Sequence, residues 1–192
     1  MKYTRSFRIW HWVNALVIFA LMGTVFLRET FLSYKTNAPI LLNKLTEFGV
    51  TITQDQAQAL AKVLRNEMWQ WHIYLGYALV ALILYRIFLV FKDDSKKEGF
   101  FQLPFPKKMV KLLHYLFYIA TLAISVSGFA LYFHDTLNID EVKLEDIKEA
   151  HEMLFNFIGA FVALHVVGVV VAENRDEEGI ISTMVHGQKV DS

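Results

Sequence analysis

The segment from His151 to Ala172 constrains this chain more than any other stretch. It is apolar, long enough to cross a bilayer, and carries two histidines, His151 and His165, fourteen residues apart. In a helix at about 100° per residue, fourteen steps come to about 1400°, within about 40° of a whole number of turns. Both imidazoles then leave one helix face, about 21 Å apart along the axis at about 1.5 Å per residue. A ligating or ionisable group inside a membrane is costly and marks function by default. Two of them, near opposite ends of a span, imply two metal or haem sites at two depths. Each such site needs a second ligand from elsewhere in the chain.

Composition supports a membrane reading. The 192 residues are 55% apolar, 15% aromatic and 20% charged, with a mean hydropathy of +0.34. That is too apolar for an ordinary soluble domain and fits an integral membrane protein with modest loops. The formal net charge is zero, so no nucleic-acid partner is expected. Cysteine is absent, which excludes disulfides, thiolate-held iron–sulfur clusters, thiolate-ligated haem and covalent c-type attachment. Any haem must be held non-covalently, with histidine or methionine as axial ligand. The seven histidines are the inventory to sort.

Taken in order, the chain predicts four spans. Lys2, Arg5 and Arg8 precede an apolar run over 9–27, which contains His11, Trp12 and Asn14 and is read as a retained first helix. Residues 28–67 form a long connection, within which Thr53 N-caps a short surface helix reaching about Arg65. The second span covers 68–90, with Trp69 and Trp71 in an interfacial belt, His72 near its start and Arg86 near its end. A connector over 91–109 holds Lys92, Lys96, Lys97, Lys107 and Lys108, broken by Pro104 and Pro106. The third span, 110–133, carries His114; an acidic loop, 134–150, leads to the fourth span, 151–172, and a polar tail, 173–192. The expected fold is all-α: one integral-membrane domain, an up-down-up-down four-helix bundle.

Charge orients that bundle. Lysine and arginine of the short loops gather at the N-terminus and in the 91–109 connector, so both termini are expected to be cytoplasmic. His11 then lies near the inner face and His72 near the outer; on the fourth helix His151 is outer and His165 inner. The pairs sharing a depth are His11 with His165 and His72 with His151. A lone histidine at an interface is ordinarily just a polar interfacial residue. Four that agree in both helical phase and depth make two complete bis-histidine sites. Zinc would instead gather four ligands in one cluster. Gly76, Gly159 and Gly168 leave room for a flat macrocycle or serve close helix packing. His114 has no spare partner at its depth and is kept for a propionate, quinone or interfacial role. His134 and His186 are expected in solvent. Arg8 and Arg86, at the inner end, face a haem propionate or an anionic headgroup.

These residues resemble a known family. The run His151-Glu152-x-x-x-Asn156-x-x-Gly159 with His165, the first-helix Ile9-Trp10-His11-Trp12, the second-helix Trp71-His72-x-x-x-Gly76 and His114-x-x-x-Tyr118 leading to Gly128 are similar to bacterial cytochrome b561 and to the cytochrome b subunits of nickel–iron hydrogenases. The likeness spans roughly 9–172. Where some members have proline before the third-helix glycine, this chain has Ser125-Val126-Ser127-Gly128. The resemblance implies two non-covalent b haems on His11, His72, His151 and His165, in the bacterial inner membrane. It also implies electron transfer between an outer-face periplasmic or membrane-associated redox protein and the quinone pool, with a homo-dimer left open. A free-standing superoxide:quinone oxidoreductase and a haem-free anchor subunit are the alternatives. The long first loop is a candidate docking surface.

Overall fold

The computed structural model describes residues 3–92, 100–175 and 178–187. Lys2, Lys96 and Lys97, three of the charges used for orientation, lie outside the described residues, as do 176–177 and 188–192 of the tail. Among the described residues all regular structure is helical: α1 (Arg5–Glu29), α2 (Tyr34–Glu47), α3 (Gln54–Lys92), a short 3-10 turn (Phe100–Gln102), α4 (Phe105–Tyr132), α5 (Glu141–Arg175) and α6 (Ile180–His186). α1, α3, α4 and α5 are each long and apolar enough to cross a membrane. Their outward apolar side chains, such as Leu16, Phe26, Leu84, Ile119 and Leu164, are more than half exposed. In water such surfaces would aggregate; in lipid they meet their own kind.

Helix boundaries differ from the sequence reading in several places. The surface helix over 53–65 and the second span are one helix, α3, 39 residues long. Asn66 and Glu67 between them offer no glycine or proline to break it. Its N-terminus is the expected one: Gln56 N–H donates to Thr53 Oγ1 at 3.2 Å while Thr53 N–H donates to Gln56 Oε1 at 2.8 Å, a reciprocal capping box. α5 likewise starts ten residues before the apolar run, at Glu141, and the tail contains α6. α2 was not anticipated. It ends in a Schellman turn in which Gly49, at φ +77°, takes the left-handed position and Val50 N–H donates to the Leu45 carbonyl at 2.8 Å.

The chain forms two compact units, Asn14–Leu79 and Met1–Val13 with Val80–Ser192. In the first, Ala38 of α2 packs on Ala57 and Ala61 of α3, all three fully buried, with Tyr34, Leu41, Leu42 and Ile52 around them. Alanines one turn apart on α3 let the two helices approach closely. In the second, α4 and α5 pack along their length. Phe117 stacks on Phe161 with ring centres 4.3 Å apart, and Ala120, Thr121 and Ile158 are buried. α4 continues unbroken through Ser125–Gly128, where a proline would have kinked it. Hydroxyls there donate back to the helix: Thr121 to the Phe117 carbonyl at 2.7 Å and Ser125 to the Thr121 carbonyl at 2.8 Å.

Candidate functional site

Helix phase brings His11 and His165 together. In the unit holding α4 and α5, their ring centres lie 6.1 Å apart with planes inclined at 59°. His114 joins them from α4, its ring edge-on to His165 at 5.7 Å and to Phe161 at 5.6 Å. The His114 Nδ1–H donates to the Val110 carbonyl one turn back at 2.7 Å, so its lone pair is on Nε2. Among the described residues no group of three or more His, Asp or Glu side chains converges as a metal cage. The three imidazoles are therefore neighbours in pairs, not a tris-histidine centre.

His151, at the other end of the apolar α5 segment, is held by α4. Ser127 Oγ donates its one proton to the Ile124 carbonyl at 3.1 Å and stands 2.9 Å from His151 Nδ1. The Ile124 carbonyl, itself only an acceptor, is also a hydrogen-bond partner of His151. With the Ser127 proton on the Ile124 carbonyl, the Ser127 contact puts the imidazole proton on Nδ1 and the lone pair on Nε2. His151 packs closely on Gly128, where a Cβ would stand 3.2 Å from His151 Cε1 and the ring would have to give by a few tenths of an ångström. In the unit Asn14–Leu79, His72 has the same arrangement. Thr24 Oγ1 gives its proton to the Leu21 carbonyl at 2.6 Å, so its 2.8 Å contact with His72 Nδ1 is an N–H donation from the imidazole. Trp69 lies flat on the His72 ring, centres 4.4 Å apart and planes 2° from parallel.

The two arginines have different surroundings. Arg86 sits over the rings of Phe7, Trp10 and Tyr118 at 4.8, 5.3 and 5.7 Å, and its Nε donates to Tyr118 Oη at 3.4 Å. Trp10 is pinned beside it, its indole N–H donating to the Leu82 carbonyl at 2.8 Å. Among the described residues it is aromatic faces, not a carboxylate, that surround this guanidinium. Arg8 reaches α6, where its Nη1 donates to the Val185 carbonyl at 2.9 Å. Its buried Nε has no hydrogen-bond partner among the described residues. A shallow groove of about 360 Å³ opens there, lined by Arg5, Arg8, Ile9, Trp12, Val13 and Val185. α6 is itself capped by Glu173, whose carboxylate accepts from the N–H groups of Gly179 and Ile181 at 3.0 and 2.9 Å.

A family model for prokaryotic cytochrome b561 matches residues 2–187. The chain belongs to the prokaryotic cytochrome b561 family. No curated protein and no solved structure matches it. As a prokaryotic cytochrome b561 with four membrane-length helices, it is a membrane b-type cytochrome acting in electron transfer.

The residues present fit b-type haem. The ring centres of His11 and His165 are 6.1 Å apart, so the two imidazoles are near enough for one iron to be held between them. Ligating histidines characteristically donate their other N–H to a fixed oxygen, as His72 and His151 do here. Around Gly76 and Gly168 nothing described lies within 4 Å of where a Cβ would stand, so neither glycine is demanded by close helix packing. Of the site residues expected from sequence, His11, His114 and His165 meet in one cluster. Arg8 lies in the first turn of α1 and Arg86 sits over Phe7 and Trp10 of the same helix, and His72 and His151 belong to different units. Sequence reasoning missed Thr24 and Ser127. Their signal, a small hydroxyl on a neighbouring span, is common in membrane helices and specifies no partner.

Proposed function

We propose that this cytochrome carries electrons across the membrane between a redox partner at the outer face and the quinone pool, through two b haems. The ligand pairs are His11 with His165 and His72 with His151, in an up-down-up-down bundle with both termini cytoplasmic. The observation that carries this reading is the 6.1 Å approach of His11 to His165. His151 stands fourteen residues before His165 on the same helix, about 21 Å away along its axis, so α5 offers one ligand at each depth. Bound haem b supplies a reversible one-electron iron couple.

The chain's own residues prepare each imidazole for that role. Thr24 and Ser127 hold the Nδ1 protons of His72 and His151 and thereby present Nε2 to the iron. With two histidines to hold each haem, the iron would be ligated by the protein alone, which would favour electron transfer over oxygen binding. Arg8 and Arg86 supply fixed positive charge at the His11 end, where haem propionates or a quinone would be received. His114 packs against the His165 ring and braces it.

Haem-to-protein stoichiometry by pyridine haemochrome tests the pairing. Wild type should hold two b haems, His165→Ala and His72→Ala about one each, and His114→Ala two. Absence of haem from the wild type, or two haems kept in both His165→Ala and His72→Ala, sinks the assignment. Superoxide consumption by the purified protein alone would favour the free-standing oxidoreductase instead.

A further inference from the structure

We propose that Trp69 and Arg28 are positioning residues for His72, fixing the plane of its imidazole and the charge felt by the iron it holds. The proposal rests on His72 being an axial ligand. Four side chains from two helices make the arrangement, all within the unit Asn14–Leu79. Thr24 and Arg28 stand one turn apart on α1; Trp69 and His72 stand three residues apart on α3, where such neighbours share a face. The hydroxyl of Thr24, itself buried, receives the His72 Nδ1–H at 2.8 Å. The indole of Trp69 covers the His72 ring at 4.4 Å, 2° from parallel. The Arg28 guanidinium carbon lies 5.0 Å from the Trp69 ring centre. The imidazole and the guanidinium thus both lie against the same indole.

The two contacts on His72 do different things. Rotation of an imidazole about its Cβ–Cγ bond is soft and broad. A hydrogen bond to Nδ1 selects the tautomer and anchors one atom, but the ring can still tilt about that anchor. A parallel indole removes the tilt, because any rotation of the imidazole drives one of its edges into the Trp69 face. Arg28 in turn secures Trp69, whose negative ring face attracts the cation. His165 also has a near-parallel neighbour, Phe161, at 5.8 Å and 11°, farther off than the indole is from His72. The rings of His11 and His165 are inclined to each other, and His11 meets Trp12 edge-on. The stack on His72 is the closer and the more nearly parallel of the two. Arg28, whose Nε also lies 3.7 Å from the Glu29 carboxylate, brings a guanidinium against the stacked indole, and a nearby positive charge favours the reduced iron.

Electron paramagnetic resonance of the oxidised full-length protein in detergent, with a redox titration of the same samples, tests this. The low-spin ferric signal reports ligand-plane orientation, separately from activity. Trp69→Leu should keep two haems but shift one of the two low-spin signals, while Trp69→Phe, which retains a flat face, should restore it. Arg28→Gln should leave the signals nearly in place and lower the midpoint potential of that same haem. Unchanged signals in Trp69→Leu, or a Trp69→Phe variant that behaves like Trp69→Leu, would overturn the proposal. If Trp69→Leu loses one haem, recovery in Trp69→Phe supports it and failure to recover overturns it. Two haems kept in His72→Ala would instead refute the ligand assignment on which the proposal rests.

Discussion

Thr24 and Ser127 do the same work for two different imidazoles. Each hydroxyl has one proton, each commits it to a carbonyl of its own helix, and each is left able only to accept from histidine. Removing such an outer partner typically costs a metal site about 10–100-fold in affinity. Thr24→Val and Ser127→Ala should each weaken retention of one haem by about that factor, measured by haem loss to a competing apo-globin, with helix content unchanged. Equal loss rates in wild type and variants would show the hydroxyls to be incidental. The relation of His151 to His165 was legible in the sequence because it is intrahelical: a spacing of fourteen on one helix fixes their relative phase and rise together. The hydroxyls were not, because Ser127 meets His151 across twenty-four residues and Thr24 meets His72 across forty-eight. Only packing chooses those partners. His114 shows the same limit, since its depth was readable but its contact with His165 was not.

At the scale of elements, hydropathy located the spans and misplaced their ends. It reports the solvent a residue meets, whereas a helix stops only where backbone chemistry stops it. α3 passes from water into the apolar segment without a break, and α5 does so behind a strong start signal. At that start, Asp140 Oδ1 accepts from the Lys143 N–H at 3.0 Å and its Oδ2 pairs with Lys143 Nζ at 2.8 Å. The hydrogen bonds from Lys143 hold the Asp140 carboxyl below its ordinary pKa. A carboxyl lowered on folding contributes stability above its unfolded pKa and loses it as pH falls through the lowered folded value. Asp140→Ala should therefore lower the thermal midpoint at neutral pH, by an amount that shrinks as pH falls below about 4. A difference independent of pH would mean the carboxylate charge contributes nothing. α2 escaped notice for another reason. Pro39 interrupts its helix pattern, and its core is Ala38 against Ala57 and Ala61, a tertiary contact with no sequence period.

For the whole molecule, length is the decisive quantity. The hydrocarbon core is about 30 Å thick, whereas the 39 residues of α3 and the 35 of α5 rise about 58 and 52 Å. Both helices therefore project well beyond the lipid, and the histidines of α5 fall inside the apolar part of its length, about 21 Å apart. An electron crossing such a barrier needs a station near each surface; one station leaves most of the apolar thickness uncrossed. Hence neither ligand pair is dispensable for conduction, although either could hold a haem alone. The test uses purified protein in lipid vesicles with ferricyanide trapped inside and dithionite added outside. Wild type should bleach the trapped ferricyanide well above the protein-free leak, and His72→Ala and His165→Ala should each fall back to that leak while keeping one reducible haem. A one-haem variant that conducts at the wild-type rate would show that electrons do not pass through both ends of α5. The chain would then be a cytochrome working at one membrane face, with its second histidine pair serving structure alone.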